Sequence, residues 1–301
     1  MARTRHESRL RDELESILVR YQRAEFLPTD PISIPHRYKE PRDRELVAFF
    51  AAMMAFGNVR SMLQAIGGVL AWMGESPVRT LESSSDAEIR RNSEGQGYRW
   101  VRAADFAAFF RCMRRVYMEH GGLEALFARG HSEAEVTTLA GLHTMLEGIR
   151  GCISATELTS YGTGYLLPSP NRTSAYKRVH LFLRWMIRKD AVDLGLWQTA
   201  SPAHCLMPLD THVARLARLL GLTSRKSIDS KMVLEVTGAL RRLSPEDPVK
   251  YDFALSRLGI LGACPRKPLH EVCTPCDLRR VCTHWHTHGD GSGGDITTRR
   301  E

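Results

Sequence analysis

Four cysteines near the end of the chain, Cys264, Cys273, Cys276 and Cys282 in CPRKPLHEVCTPCDLRRVC, restrict the possible folds more than any other feature. Their C-x8-C-x2-C-x5-C spacing follows directly on the apolar segment DPVKYDFALSRLGILG. Thiolates within reach of one another hold a [4Fe–4S] cluster or a zinc ion, and spacing alone leaves both open. Either way, the fold must gather four sulfurs at the end of its last long helix. The chain has seven cysteines. An odd number in an intracellular setting argues against a disulfide framework, so Cys112, Cys152 and Cys205 are expected to be ordinary buried thiols.

Nearly every other long segment repeats its apolar residues at helical spacing, and alternating runs are scarce, so the expected fold class is all-α. RELVAFFAAMMAF, residues 44–56, is apolar on all sides and belongs at the centre. Further helices are expected at 8–22, 59–73, 103–120, 122–128, 132–150 and 228–243, with a polar loop and one short helix over 82–97. A chain of 301 residues with 43% hydrophobic content can fill two interlocked helical lobes. The expected divisions are an N-terminal helix and linker packed on the C-terminal lobe (1–44), a barrel-like lobe (45–172), a catalytic and cysteine-bearing lobe (173–283) and a disordered tail (284–301). Charged residues occupy the N-terminus where a signal peptide would be apolar, and no apolar run is long enough for a membrane span, which points to the cytoplasm. A net charge of +8 favours a polyanionic partner.

Two helix beginnings carry candidate chemistry. SAYKRVHLFLRWMIR places Val179, Phe182, Leu183 and Met186 on one face and Lys177, Arg184 and Arg188 on another. Thr173 or Ser174 is the expected cap. Lys177 then falls among unpaired N–H groups, which disfavour a second positive charge and ease formation of the neutral amine. In DTHVARLARLLG, Asp210 precedes an apolar series and accepts backbone N–H bonds that keep it ionised. A nucleophilic amine near a charged carboxylate suits covalent chemistry at a sugar carbon. Standing alone, an aspartate at a helix start is most often a cap and a first-turn lysine is usually solvated. Asp190 and Asp193 compete for the carboxylate's role. GYRW at 97–100 interleaves aromatic and basic residues, a pattern that serves nucleic-acid contact or, more often, helix-entry packing.

Three blocks resemble the helix-hairpin-helix DNA glycosylase superfamily, which includes endonuclease III, the adenine glycosylase MutY and archaeal 8-oxoguanine glycosylases. ALSRLGILGACPRKP followed by CTPCDLRRVC is similar to the iron–sulfur loop of the endonuclease III branch, with a longer first gap. PLDTHVARL is similar to the VDTHxxR signature, which sets Asp210 in the place of the catalytic aspartate, with Thr211, His212 and Arg215 in register. ELVAFFAAMMAFGNV resembles the early buried helix that ends beside the flipped base. The turn LLPSPNRTSAYK lacks the glycines of the superfamily's LPGVGxK hairpin. Lys177 lies 33 residues before Asp210, an interval nearer to the archaeal 8-oxoguanine enzymes.

This resemblance implies a DNA N-glycosylase with AP lyase activity, in which Lys177 attacks the sugar of an extruded nucleotide and Asp210 stabilises the developing charge. It implies a base pocket or DNA-binding surface drawn from Phe56, Gly57, Asn58, Trp185, Trp197, His212 and Arg215, with Arg178, Arg184 and Lys267 on phosphates. The implied cofactor is a structural [4Fe–4S] cluster on Cys264, Cys273, Cys276 and Cys282, with zinc as the alternative. The implied partner is double-stranded DNA carrying a damaged or modified base, oxidised guanine first among the candidates, bound by a monomer. Two other readings compete: a non-catalytic DNA-binding protein with a metal-braced fold, and a glycosidase of free nucleosides.

Overall fold

The computed structural model describes residues 2–267 and 269–288. Its helices are α1 (Ala2–Tyr21), α2 (Pro41–Met53), α3 (Val59–Leu70), α4 (Pro77–Ser83), α5 (Asp86–Ser93), α6 (Ala103–His120), α7 (Leu123–Ala128), α8 (Leu139–Gly151), α9 (Tyr161–Leu166), α10 (Lys177–Ile187), α11 (Thr211–Leu219), α12 (Ser230–Leu243), α13 (Asp252–Ile260), α14 (His270–Cys273) and α15 (Thr283–His288). The fold is all-α, as expected, apart from a two-residue hairpin, β1 (Gly97–Tyr98) with β2 (Val101–Arg102). Among the described residues, no helix is long and apolar enough to cross a membrane.

Helix α2 is the axis of the molecule. Pro41 opens it at a position where a missing N–H costs nothing, and every residue from Leu46 to Met53 is fully buried. Its Phe49 packs against Phe109 of α6 and Phe182 of α10, at ring-centroid distances of 5.9 and 5.1 Å. Phe50 meets Phe106 and Phe110, both of α6. Each such ring contributes roughly 1.5–3 kcal/mol by leaving water, which is why a helix without a polar face is stable here. Asp43 and Glu45 are both buried near its start, and Glu45 is the one that ties α2 to α7. Its two oxygens accept bonds from the Leu123 and Glu124 N–H groups, the Tyr117 hydroxyl and the Trp197 indole, so α7 is capped from another helix.

Several expectations shift. The helix expected over 132–150 begins only at Leu139, because the Thr138 N–H is taken by the His204 carbonyl. The polar stretch 82–97 contains α5, started by a reciprocal Ser85–Glu88 capping box. Helix α10 begins at Lys177, and neither Thr173 nor Ser174 caps it. Asn171 accepts from Thr173, Ser174 accepts from the Tyr176 N–H, and Tyr176 occupies the cap position in the left-handed region at φ 43°. Of the tail expected to be disordered, 284–288 lie within α15, and 289–301 lie outside the described residues.

Helix α1 packs across α12 and α13 and reaches the cysteine loop. Glu15 bonds Tyr251 and Lys250, both at 2.6 Å, Arg242 pairs with Glu7 at 3.0 Å, and Arg20 pairs with Asp277 at 3.2 Å.

Candidate active site

A cleft of about 610 Å³ opens between the end of α2 and the N-terminal ends of α10, α11 and α13. Lys177 is the first residue of α10, Asp210 caps α11 and Asp252 is the first residue of α13, and all three line it. Three helix N-termini, each the positive end of a helix dipole, therefore face one space, an arrangement suited to anionic groups.

The charges around the cleft are unequal in freedom. Arg178 donates to the Met53 and Tyr165 carbonyls and lies 3.8 Å from the Tyr165 ring centre. Arg184, 2% exposed, pairs with Asp193 and Asp252. Arg257 pairs with Asp30 at 2.6 Å and bonds Thr29. Lys177 is only half-buried, and its amine has no hydrogen bond or ion pair with any described residue. Among the basic side chains that line the cleft, it is the one available to a ligand.

Asp210 accepts the His212 and Val213 N–H bonds at 2.9 Å, both through Oδ1, so its other oxygen has no partner among the described residues. Asp252 is the carboxyl that sequence reasoning missed. Burial pushes it up to about 6; Arg184 opposes the rise, the Asp210 charge adds to it, and Lys177 lowers it. The amine and the cap thus both act on the buried acid, and all three share one electrostatic neighbourhood. The available signal was that Asp252 opens DFALSRLGI as Asp210 opens THVARLARL.

Other proposed site residues divide. Phe56 and Gly57 line the cleft, with Phe56 stacked on Trp100 at 4.9 Å and Gly57 at φ 85°. His212 lines it too, against Gly259, where a Cβ would come within 3.1 Å of the imidazole. Asn58 does not line the cleft; it caps α3 through the Ser61 N–H. Trp185 and Trp197, expected at the base pocket, are buried in the core, Trp197 against Phe127 and Phe182. Arg178 and Arg184, expected on phosphates, are occupied inside the protein. Asp190 and Asp193, the alternatives to Asp210, are partners of Arg188 and do not line the cleft. Lys267 is exposed on the cysteine loop.

Cys264, Cys273, Cys276 and Cys282 all line one small pocket of about 40 Å³, walled by Leu216, Leu220, Leu258 and Leu278. Arg215, expected at DNA, instead donates to the Cys264 and Pro265 carbonyls at 2.7 and 3.1 Å and fastens this loop to α11. Burial raises the Cys264 thiol pKa and Arg215 opposes that rise. Among the described residues, no three of these sulfurs come within 4.8 Å of one another.

Residues 30–261 match the model of a family described as a protein of unknown function, DUF2400. The chain belongs to the DUF2400 family. In this DUF2400 member the matched segment includes Lys177, Asp210 and Asp252, whereas α1 and the four clustered cysteines lie outside it. No curated protein matches the chain.

Proposed function

We propose that the chain is a DNA N-glycosylase with AP lyase activity, acting on a damaged or modified base in duplex DNA. The observation that carries this reading is the unpaired Lys177 amine sharing a cleft with a capping aspartate that has one oxygen without a partner. A base inside a duplex is out of reach, so the nucleotide is extruded into the cleft, where Phe56 offers an aromatic face and three helix N-termini receive phosphate. The Lys177 amine attacks the anomeric carbon as the bond to the base breaks. Asp210 stabilises the positive charge developing on the sugar, and Asp252 is the proton donor to the departing base. Loss of the amine proton and opening of the sugar give a Schiff base on Lys177, from which the 3′ phosphate is eliminated.

The four cysteines would hold a [4Fe–4S] cluster, which supplies a structural brace rather than a redox step. Their all-sulfur donor set and leucine-walled pocket fit such a cluster, with zinc as the alternative.

The test is borohydride trapping on duplexes that carry oxidised guanine, other lesions or an abasic site. Wild type forms a covalent adduct and Lys177→Ala does not. DNA binding without trapping would favour the non-catalytic reading, and base release from free nucleosides without a duplex would favour the nucleosidase. Equal trapping by both proteins would remove Lys177 from the chemistry.

A further inference from the structure

We infer a second metal site, for a zinc-class divalent ion, where the C-terminal ends of α6 and α8 meet. Glu119 and His120 close α6, and Cys152 is the first residue beyond α8. One ligand atom from each, a carboxylate oxygen, an imidazole nitrogen and a thiol sulfur, all lie within 4.8 Å of one another. None of the three lines the cleft or the pocket of the clustered cysteines, so this site stands whether or not Lys177 proves catalytic.

The chemistry of the donors selects the ion. Sulfur and imidazole with a single carboxylate suit zinc and its neighbours, whereas calcium and magnesium prefer all-oxygen shells. Three protein ligands with an exposed Glu119 leave the fourth position to water. Two helix C-termini contribute unpaired carbonyls and the negative ends of their dipoles, and Gly121, left-handed at φ 84°, ends α6 just past His120. Cations already gather there. Arg115 donates to the Cys152 carbonyl at 3.3 Å, and Arg129 makes a long 3.3 Å bond to His120 Nδ1. A divalent ion would displace that weak contact and tie α6 to α8 across 32 residues of chain, from His120 to Cys152.

Cobalt(II) is the probe, because a thiolate–cobalt bond has its own charge-transfer absorption and zinc then displaces it. The full chain is titrated with its own C-terminal metal in place. Wild type is expected to take one cobalt ion with a thiolate band. Cys152→Ser abolishes the band, His120→Ala weakens binding by at least on the order of tenfold, the loss caused even by removing an outer-shell partner, and Arg129→Ala tightens it. Glu119→Gln, on an exposed residue, keeps the test decisive if Cys152→Ser fails to fold, and it too weakens binding. An unchanged band in Cys152→Ser would place the ion at the clustered cysteines and overturn the proposal, as would unchanged affinity in Glu119→Gln or no band in wild type.

Discussion

Replacing Asp252 by asparagine should change how stability depends on pH, and by an amount the structure sets. Asp252 is 3% exposed, and burial moves its carboxyl from the ordinary 3.8 up to about 6 despite the Arg184 guanidinium beside it. A folded-state pKa above the unfolded one means that the folded protein binds this proton more tightly. The resulting stabilisation is complete below pH 3.8 and is lost as pH rises through 6. At about 1.4 kcal/mol for each tenfold change in proton affinity, the loss across that window is about 3 kcal/mol. The side-chain amide that replaces the carboxyl can still accept the Arg184 bond, and Arg184 keeps Asp193, so the substitution removes the titration with little loss of packing. Urea unfolding of both proteins from about pH 4 to about pH 7 should show the stability of Asp252→Asn minus that of wild type rising by about 2.4 kcal/mol, most of the full change. A flat difference, or one falling with pH, would mean that Arg184 dominates burial and the carboxyl is depressed. If Asp252 is the proton donor proposed above, the same substitution should lower the excision rate by roughly 10²–10⁴-fold and leave the residual rate without an ionisation near pH 6.

Gly57→Ala should destabilise by roughly 1–2 kcal/mol from the left-handed backbone alone, and more because the new Cβ would stand 2.5 Å from the Tyr98 hydroxyl and the Arg99 guanidinium; a thermal midpoint equal to wild type would contradict this. Glu45→Ala leaves two backbone N–H groups and the Trp197 indole without their acceptor, while the Tyr117 hydroxyl keeps the Arg42 carbonyl, a cost on the order of 3 kcal/mol or more at roughly 1–3 kcal/mol per unsatisfied group, measurable by denaturant unfolding. Arg215→Ala removes two charge-assisted bonds to the cysteine loop, worth about 1.5–3 kcal/mol each; denaturant unfolding should show that loss, with faster thiol labelling of the clustered cysteines in the metal-free protein, and unchanged labelling would refute the fastening role.

The helices were legible because each must hide an apolar stripe, and a stripe is visible as spacing. Which side of a buried helix faces a cleft is not. Trp185 and Trp197 carry the composition of a base pocket, but their placement depends on α2 and α7, far away in the chain. Asp252 escaped notice for a related reason: its partner Arg184 is 68 residues away, and nothing near Asp252 marks it as more than a helix start. The start of α10 departs from expectation because Thr173 and Ser174 are ordinary caps by type, while their groups are spent on the preceding loop. Tyr176 then takes the strained cap position, anchored by its hydroxyl on the Ser169 carbonyl at 3.0 Å. Lys177 and Asp210, by contrast, stand out in the sequence as helix-start residues, although spacing alone does not show that they meet.

The contact between α1 and the cysteine loop has a consequence for assembly order. Arg20 and Asp277 are 257 residues apart, so their meeting closes nearly the whole chain into a ring, the costliest kind of closure and the slowest to be rewarded. Ile17, Arg20 and Tyr21 border Cys276 on that side. The Cys276 flank of the loop is thus covered only once the polypeptide's two ends have found each other.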